Sequence, residues 1–185
     1  MAERLFVALV HHPVVDKNGE PIASAVTNLD LHDIARACRT YGVGGYYVVT
    51  PLDDQQRLVH QILDHWLSGA GGRYNPERRE ALELVRVTPT FAGAVDDIAA
   101  ATGHRPVCVA TSARPRAHSV TCRQVRKMLD GPAPVLLAFG TAWGLADGFM
   151  DAADHILKPI RMESSYNHLS VRSAVAIFLD RLLGD

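Results

Sequence analysis

Little in this sequence asks for a covalent or metal scaffold. Cys38, Cys108 and Cys122 are the three cysteines and none belongs to a C-x-x-C pair, which argues against a disulfide framework or a zinc ribbon and fits a reducing, cytoplasmic setting. His11 and His12 are adjacent, but neighbours on a strand point to opposite faces, and no H-E-x-x-H or Cys/His set accompanies them. No metal is expected. Nineteen basic and twenty acidic residues nearly cancel, so no global field draws the chain to nucleic acid, and any RNA surface has to be a local basic patch. Apolar runs are short, and Met1-Ala-Glu-Arg4 is not a basic segment leading into an apolar one, so neither a signal peptide nor a membrane span is expected.

What is there in quantity is apolar residues, 48% of 185, enough to bury a sizeable core as one domain over 1–185. The stretch that organises the chain is Pro134-Val-Leu-Leu-Ala-Phe-Gly-Thr-Ala-Trp-Gly-Leu-Ala-Asp-Gly148. Val135 to Phe139 is an unbroken apolar run that suits a strand buried on both faces, and Gly140, Gly144 and Gly148 follow it. A buried strand opening into a glycine turn is where parallel α/β sheets hold ligands. Trp143, between two glycines, offers a flat apolar surface to a base; the alternative is an ordinary strand-to-helix turn.

Around this stretch strands and helices alternate. Leu5 to Val10 reads as a first buried strand, and Asp16 to Gly19 as a turn. Leu31, Ile34, Ala35 and Cys38 have helical spacing, with Asp30 as the expected N-cap and Arg36 and Arg39 off the buried stripe. Tyr46 to Val49 is the next strand, and Leu58 to Leu67 an amphipathic helix after Asp53 and Asp54, with Trp66 expected in the core. Gly69-Ala-Gly-Gly72 reads as a flexible linker, because it follows a helix and lacks the G-K-[ST] of a phosphate loop, and Asn75-Pro76 starts another helix.

Further strands are expected at Leu84 to Thr88, Val107 to Ala110 and Ile156 to Ile160, with helices from Phe91 to Ala101, around Arg123 to Leu129, and from Val171 to Leu182. That alternation predicts an α/β protein, a mostly parallel sheet flanked by helices. Its most basic segment carries Arg114, Arg116, His118, Arg123, Arg126 and Lys127, which reads either as a phosphate-facing surface or as a solvated loop and helix face. The last helix, apolar along one side, packs against the sheet or a second subunit.

Three loops follow strands of the C-terminal half: Thr111-Ser-Ala-Arg114, Gly140-Thr-Ala-Trp-Gly144, and Pro159-Ile-Arg161 to Asn167-His-Leu-Ser170. This arrangement resembles the SPOUT, or α/β-knot, RNA methyltransferases. The likeness extends to the small stand-alone bacterial group of that superfamily through His11-His-Pro-Val14, Asp30-Leu-His-Asp-Ile-Ala-Arg36, Tyr74-Asn-Pro-Glu-Arg78 and Phe139-Gly-Thr-Ala-Trp-Gly-Leu145. The resemblance implies a deep C-terminal trefoil knot, a homodimer, and S-adenosylmethionine as cofactor, with tRNA or rRNA as substrate. It implies cofactor contacts from Thr111, Ser112, Gly140, Thr141, Trp143, Gly144, Ile160, His168, Leu169 and Ser170. Arg36 and Arg114 would orient the RNA, Asp30 or His168 would accept a proton, and Arg116, Arg123, Arg126 and Lys127 would extend the RNA surface.

Ribose-methylating relatives carry G-x-E-x-x-G-L in the second of these motifs. Here the glutamate position reads Ala142, the turn is one residue shorter, and the two asparagine positions of the relatives read His168 and Asp30. The resemblance therefore leaves transfer to a base nitrogen and to the ribose 2′-oxygen both open. A second reading of the same departures is a non-catalytic dimeric RNA-binding module that keeps the cofactor pocket.

Overall fold

The computed structural model describes residues 1–160 and 166–184; the part of the third loop from Arg161 to Ser165 lies outside the described residues. Six parallel strands form the sheet: β1 (Leu5–Val10), β4 (Gly45–Val49), β5 (Val85–Thr88), β6 (Val107–Thr111), β7 (Val135–Gly140) and β8 (His155–Leu157), in the order β5-β4-β1-β7-β6-β8. A two-stranded hairpin, β2 (Val14–Val15) with β3 (Pro21–Ile22), leans on the end of β1. The helices are α1 (Asn28–Thr40), α2 (Asp53–Leu67), α3 (Ala70–Tyr74), α4 (Pro76–Leu82), α5 (Phe91–Thr102), α6 (Cys122–Leu129), α7 (Asp147–Ala152) and α8 (Val171–Leu183).

Strand alternation divides the core. Leu5, Val7 and Leu9 of β1 join Leu31, Ile34, Val125, Phe178 and Leu182 on one face, whereas Phe6, Ala8 and Val10 join Ala94, Ile98 and Met150 on the other. Both faces of β1 are buried, as expected of a central parallel strand. The apolar side of α8 is used within the chain: Val175, Phe178, Leu179 and Leu182 are all buried, and the Phe178 ring lies 6.0 Å from that of Phe139 on β7.

The predicted strands and long helices are present, with local corrections. Asp30 is not the cap of α1. The helix begins earlier, at Asn28, because the Thr27 hydroxyl accepts the Asp30 N–H at 3.2 Å and donates to the Asp30 carboxylate at 2.7 Å. Gly69 to Gly72 is not a linker but leads into α3, and Gly71 and Gly72 are buried against the end of α2. A Cβ on Gly71 would lie 2.8 Å from His65 Nε2 and 2.9 Å from Trp66 Cε3, so the glycines are required by close packing rather than by flexibility. Trp66 is half-buried, with its ring between His32 and His65. Helix α7 was not legible, since it has six residues of which only Met150 is buried. β8 ends at Leu157, short of the expected Ile160.

Phe178 fills the space between α8 and the central strands, so Phe178→Ala should destabilise the fold by about 3–5 kcal/mol, read as a lower urea midpoint. A loss below 1 kcal/mol, on the order of an exposed-site change, would show that α8 is not integral to this core.

Candidate active site

Parallel strands deliver their C-terminal ends to one edge of the sheet, and the loops of interest leave from there. The register pairs Val10 of β1 with Gly140 of β7, so His11 and Thr141 start neighbouring loops. Both turns fold onto each other. Trp143 N–H donates to the Val15 carbonyl at 3.1 Å, Val15 N–H to the Gly144 carbonyl at 2.9 Å, and Ala146 N–H to the Pro13 carbonyl at 3.2 Å.

This loop after β7 needs its glycines for two different reasons. A Cβ at Gly140 would sit 2.5 Å from the Leu145 backbone nitrogen, so the close approach there is by the chain itself, not by a ligand. Gly144 has φ +113°, a conformation open to glycine, and faces free space. Between them Ala142 also has positive φ, at 50°, and Trp143 is 60% exposed.

The Thr111 hydroxyl donates to the Ala138 carbonyl at 2.9 Å, tying the end of β6 to β7, and the Ser112 hydroxyl accepts the Arg114 N–H at 3.0 Å. Asn167 Nδ2 donates to the Ala113 carbonyl at 3.0 Å, which joins the third loop to the first. Ile160 is buried at the base of the third loop, whereas His168 and Leu169 are exposed and the Ser170 hydroxyl caps α8 by accepting the Ser173 N–H. The ten residues expected to bind cofactor thus lie at the ends of β6 and β7, as Thr111 and Gly140 do, or on the loops that follow β6, β7 and β8.

The expected RNA and catalytic residues divide more sharply. Arg36 and Arg114 are exposed, and neither guanidinium has a partner among the described residues. Arg123 and Lys127 are likewise exposed on α6. Arg116 instead pairs with Asp147 at 2.6 Å, in the first turn of α7. Arg126 donates to the carbonyls of Arg181 at 2.9 Å and Gly184 at 3.3 Å, so it serves the C-terminal end of α8. Asp30 is buried and both its oxygens are engaged, one by Thr27 and the other by Arg172 of α8 at 3.3 Å. Arg172 reaches Asp33 as well, at 3.4 Å.

Sequence reasoning missed Arg172, although two carboxylates three residues apart on one helix signal a basic partner. It also missed the chain His11, Ser24, Thr141. His11 Nδ1 lies 3.0 Å from the Ser24 hydroxyl, which lies 2.5 Å from the Thr141 hydroxyl. The imidazole is fully buried and its Nε2 has no partner among the described residues. Ser24 carried no signal, being a single serine in a loop between β3 and α1.

Burial lowers the pKa of His11 from 6.5 to about 4, against an opposing pull from the charge of Asp30. Between those values the unfolded chain binds a proton that the folded chain does not. Stability is therefore complete above about pH 6.5 and falls as pH drops toward 4, by at most roughly 3 kcal/mol. Urea midpoints measured from pH 7 to 4 should show this decline, and His11→Gln should flatten it; an identical slope in the variant would remove His11 as its source.

Comparison with known proteins bears on what this edge binds. A tRNA (guanine-N(1)-)-methyltransferase of Oleidesulfovibrio alaskensis is 51% identical over 181 residues, which are 98% of this chain but 42% of that protein. The chain thus spans less than half the length of such relatives. An uncharacterized protein of Aquifex aeolicus, 41% identical over 181 residues, is covered over 88% of its length. Among solved structures, a probable methylase family protein of Haemophilus influenzae shares the fold with a TM-score of 0.65 at 20% identity, over 98% of this chain and 66% of that one. The SpoU methyltransferase AviRb of Streptomyces viridochromogenes, solved with AdoMet, aligns with a TM-score of 0.55 at 19% identity, over 99% and 58%. The family described as SAM-dependent RNA methyltransferase matches residues 4–184, a span that includes all three loops, and the chain belongs to that family.

Proposed function

We propose that this chain transfers a methyl group from S-adenosylmethionine to RNA, with tRNA first among the acceptors, and that the three loops after β6, β7 and β8 hold the cofactor. The observation that carries the reading is that these loops leave neighbouring strands at one sheet edge, where Thr111 ties β6 to β7 and Asn167 ties the third loop to the first at Ala113, within a chain that the family model matches over residues 4–184. The tRNA methyltransferase name of relatives more than twice this length supports tRNA as the acceptor class.

The residues present suit an adenosyl group. Trp143, 60% exposed, and Leu169, 44% exposed, offer apolar surface, and Gly144 leaves open space beside its Cα. When bound, the cofactor supplies an electrophilic methyl carbon on a positively charged sulfur. What the protein has to do is hold the acceptor atom in line with that carbon and take up the proton the acceptor releases. Arg36 and Arg114, both without a partner among the described residues, are assigned to a phosphate of the RNA, which suits the guanidinium fork. His168 is assigned as proton acceptor in preference to Asp30, since the carboxylate of Asp30 is already occupied by Thr27 and Arg172. Asp30 instead positions Arg172, and with it the start of α8 just after the third loop.

The knot implied by the resemblance belongs to this reading. It is supported by the course of the chain, which leaves β8 at the sheet edge, is tied to Ala113 through Asn167, and returns as α8 against α1 and α6. A homodimer is part of it too. We place the reaction in the cytoplasm, in keeping with the RNA substrate; among the described residues no helix is long and apolar enough to cross a membrane.

Calorimetric titration should find S-adenosylmethionine and S-adenosylhomocysteine binding where ATP does not, and incubation with methyl-labelled cofactor should label bulk tRNA. Selective binding without label in tRNA or rRNA would favour the non-catalytic module. Arg36→Ala should lower kcat/KM for RNA by roughly 10- to 100-fold, the loss of one charge-assisted contact, while cofactor affinity stays within about twofold. Equal loss of both would sink its assignment to the RNA.

A further inference from the structure

Tyr74-Asn-Pro-Glu-Arg78 and the glycines before it are not used by the site above, yet they are held in place with care. The three glycines of Gly69 to Gly72 pack against the end of α2: a Cβ on Gly71 would meet His65 and Trp66, and one on Gly72 would meet the Trp66 carbonyl. Asn75 then caps α4 by accepting the Arg78 N–H at 2.9 Å. The result is that Tyr74 stands 90% exposed, and the Arg78 guanidinium lies over the Trp66 ring at 4.9 Å. The His32 ring, on α1 one turn before Arg36, meets the same Trp66 edge-on at 5.5 Å.

The polar atoms of this cluster are unusually bare. Arg78 Nε and His32 Nδ1 are both buried at the atom level with no hydrogen-bond partner among the described residues. Burial first, then the charge of Arg78, lower the pKa of His32, with Asp33 opposing and Arg36 adding a smaller lowering, so both arginines act on this ring. Nearby carboxylates are engaged elsewhere: Glu80 by Arg39, Glu83 by Arg79, and Asp33 by Arg172. Glu77 remains as the exposed acid of α4, against unpaired Arg36, Arg73 and Arg78 among the described residues.

Resting on the reading that the protein acts on RNA, we infer that Tyr74, Arg78, His32 and Arg36 form a second RNA contact, in which an unpaired nucleotide stacks on Tyr74 and its phosphate lies against Arg78 and Arg36. An exposed ring beside unpaired cations is the combination that binds single-stranded nucleic acid, because every base has a face to stack and every link a charge to neutralise. Arg36 joins this contact to the catalytic edge, since α1 also carries Asp30, bound through Arg172 to the start of α8. The nucleotide held here is a neighbour of the methylated one, and its contribution is to affinity and choice of RNA.

The test uses the full chain and bulk tRNA, with fluorescence anisotropy across a salt series and steady-state kinetics with labelled cofactor. Tyr74→Ala should weaken RNA binding about 5- to 100-fold and raise KM for RNA, with kcat and cofactor affinity unchanged. Its melting temperature should not move, because the ring is exposed. Arg78→Gln should lower the slope of log affinity against log salt by about 1. Wild-type affinity and KM in Tyr74→Ala would overturn the inference while leaving the proposed function standing. Failure of the wild-type protein to bind any RNA would overturn both.

Discussion

Pairing of β1 with β7 is the constraint on which the rest of this structure depends. The two strands come from opposite ends of the sequence, and their parallel register sets Val10 against Gly140. From that one alignment the loops after both strands leave side by side. The backbone of Leu145 can then close onto Gly140, Val14 can bridge to Leu145, and Ser24 can stand between His11 and Thr141. A one-residue slip would turn the apolar side chains of a central strand to the wrong faces, so the core that buries both sides of β1 also protects the geometry of the loops. Precision at the edge is inherited from packing in the middle.

A net charge of −1 hides a division of labour among the arginines. Arg39, Arg79, Arg116, Arg126 and Arg172 each hold a carboxylate or a helix-end carbonyl of this chain. Arg36, Arg78 and Arg114 hold none among the described residues. Exposed ion pairs contribute little to stability, so the first group mainly fixes how helices meet, as Arg126 does for α6 and α8. The second group keeps its attraction for an external phosphate. A count of basic residues cannot separate the two; only the partner of each side chain can.

The sheet was legible because its strands are short, apolar and bounded by glycine, proline or threonine, and α1, α2 and α8 because their stripes recur at helical spacing. Legibility failed where the determining contact depends on how the chain folds back on itself and not on residue spacing. The glycines of Gly69 to Gly72 looked like slack because their partners, His65 and Trp66, had no reason in the sequence to fold back over them. Gly140 looked like an opening for a ligand, whereas Leu145 fills it. The three loops proposed to hold the cofactor were singled out through family likeness and not through periodicity, but the partners of Arg172, Ser24 and His11 could not be read that way, since hydrogen bonds between separate elements leave no spacing to read. Arg116 and Arg126 were grouped with Arg123 and Lys127 on charge alone, and the structure separates them by giving the first two internal partners.

Ala142 shows how the chemistry can differ from that of ribose-methylating relatives without loss of the scaffold. It occupies the position of their glutamate and adopts φ +50°, while its neighbours Trp143 and Gly144 are fixed by backbone bonds to Val15. The shape of the loop is thus set by main-chain groups and does not rely on a carboxylate. Removing that carboxylate leaves the cradle intact but takes away one acceptor of hydrogen bonds and protons at the edge. Asp30 does not replace it, being closed off by Thr27 and Arg172. Under the proposed function proton uptake is assigned to the exposed His168 on a neighbouring loop; a base nitrogen that gives up its proton more readily than a ribose hydroxyl would demand less of it. On that proposal the departures from the relatives are one coordinated change, with positioning by arginine and backbone carrying more of the catalytic work and the general base carrying less.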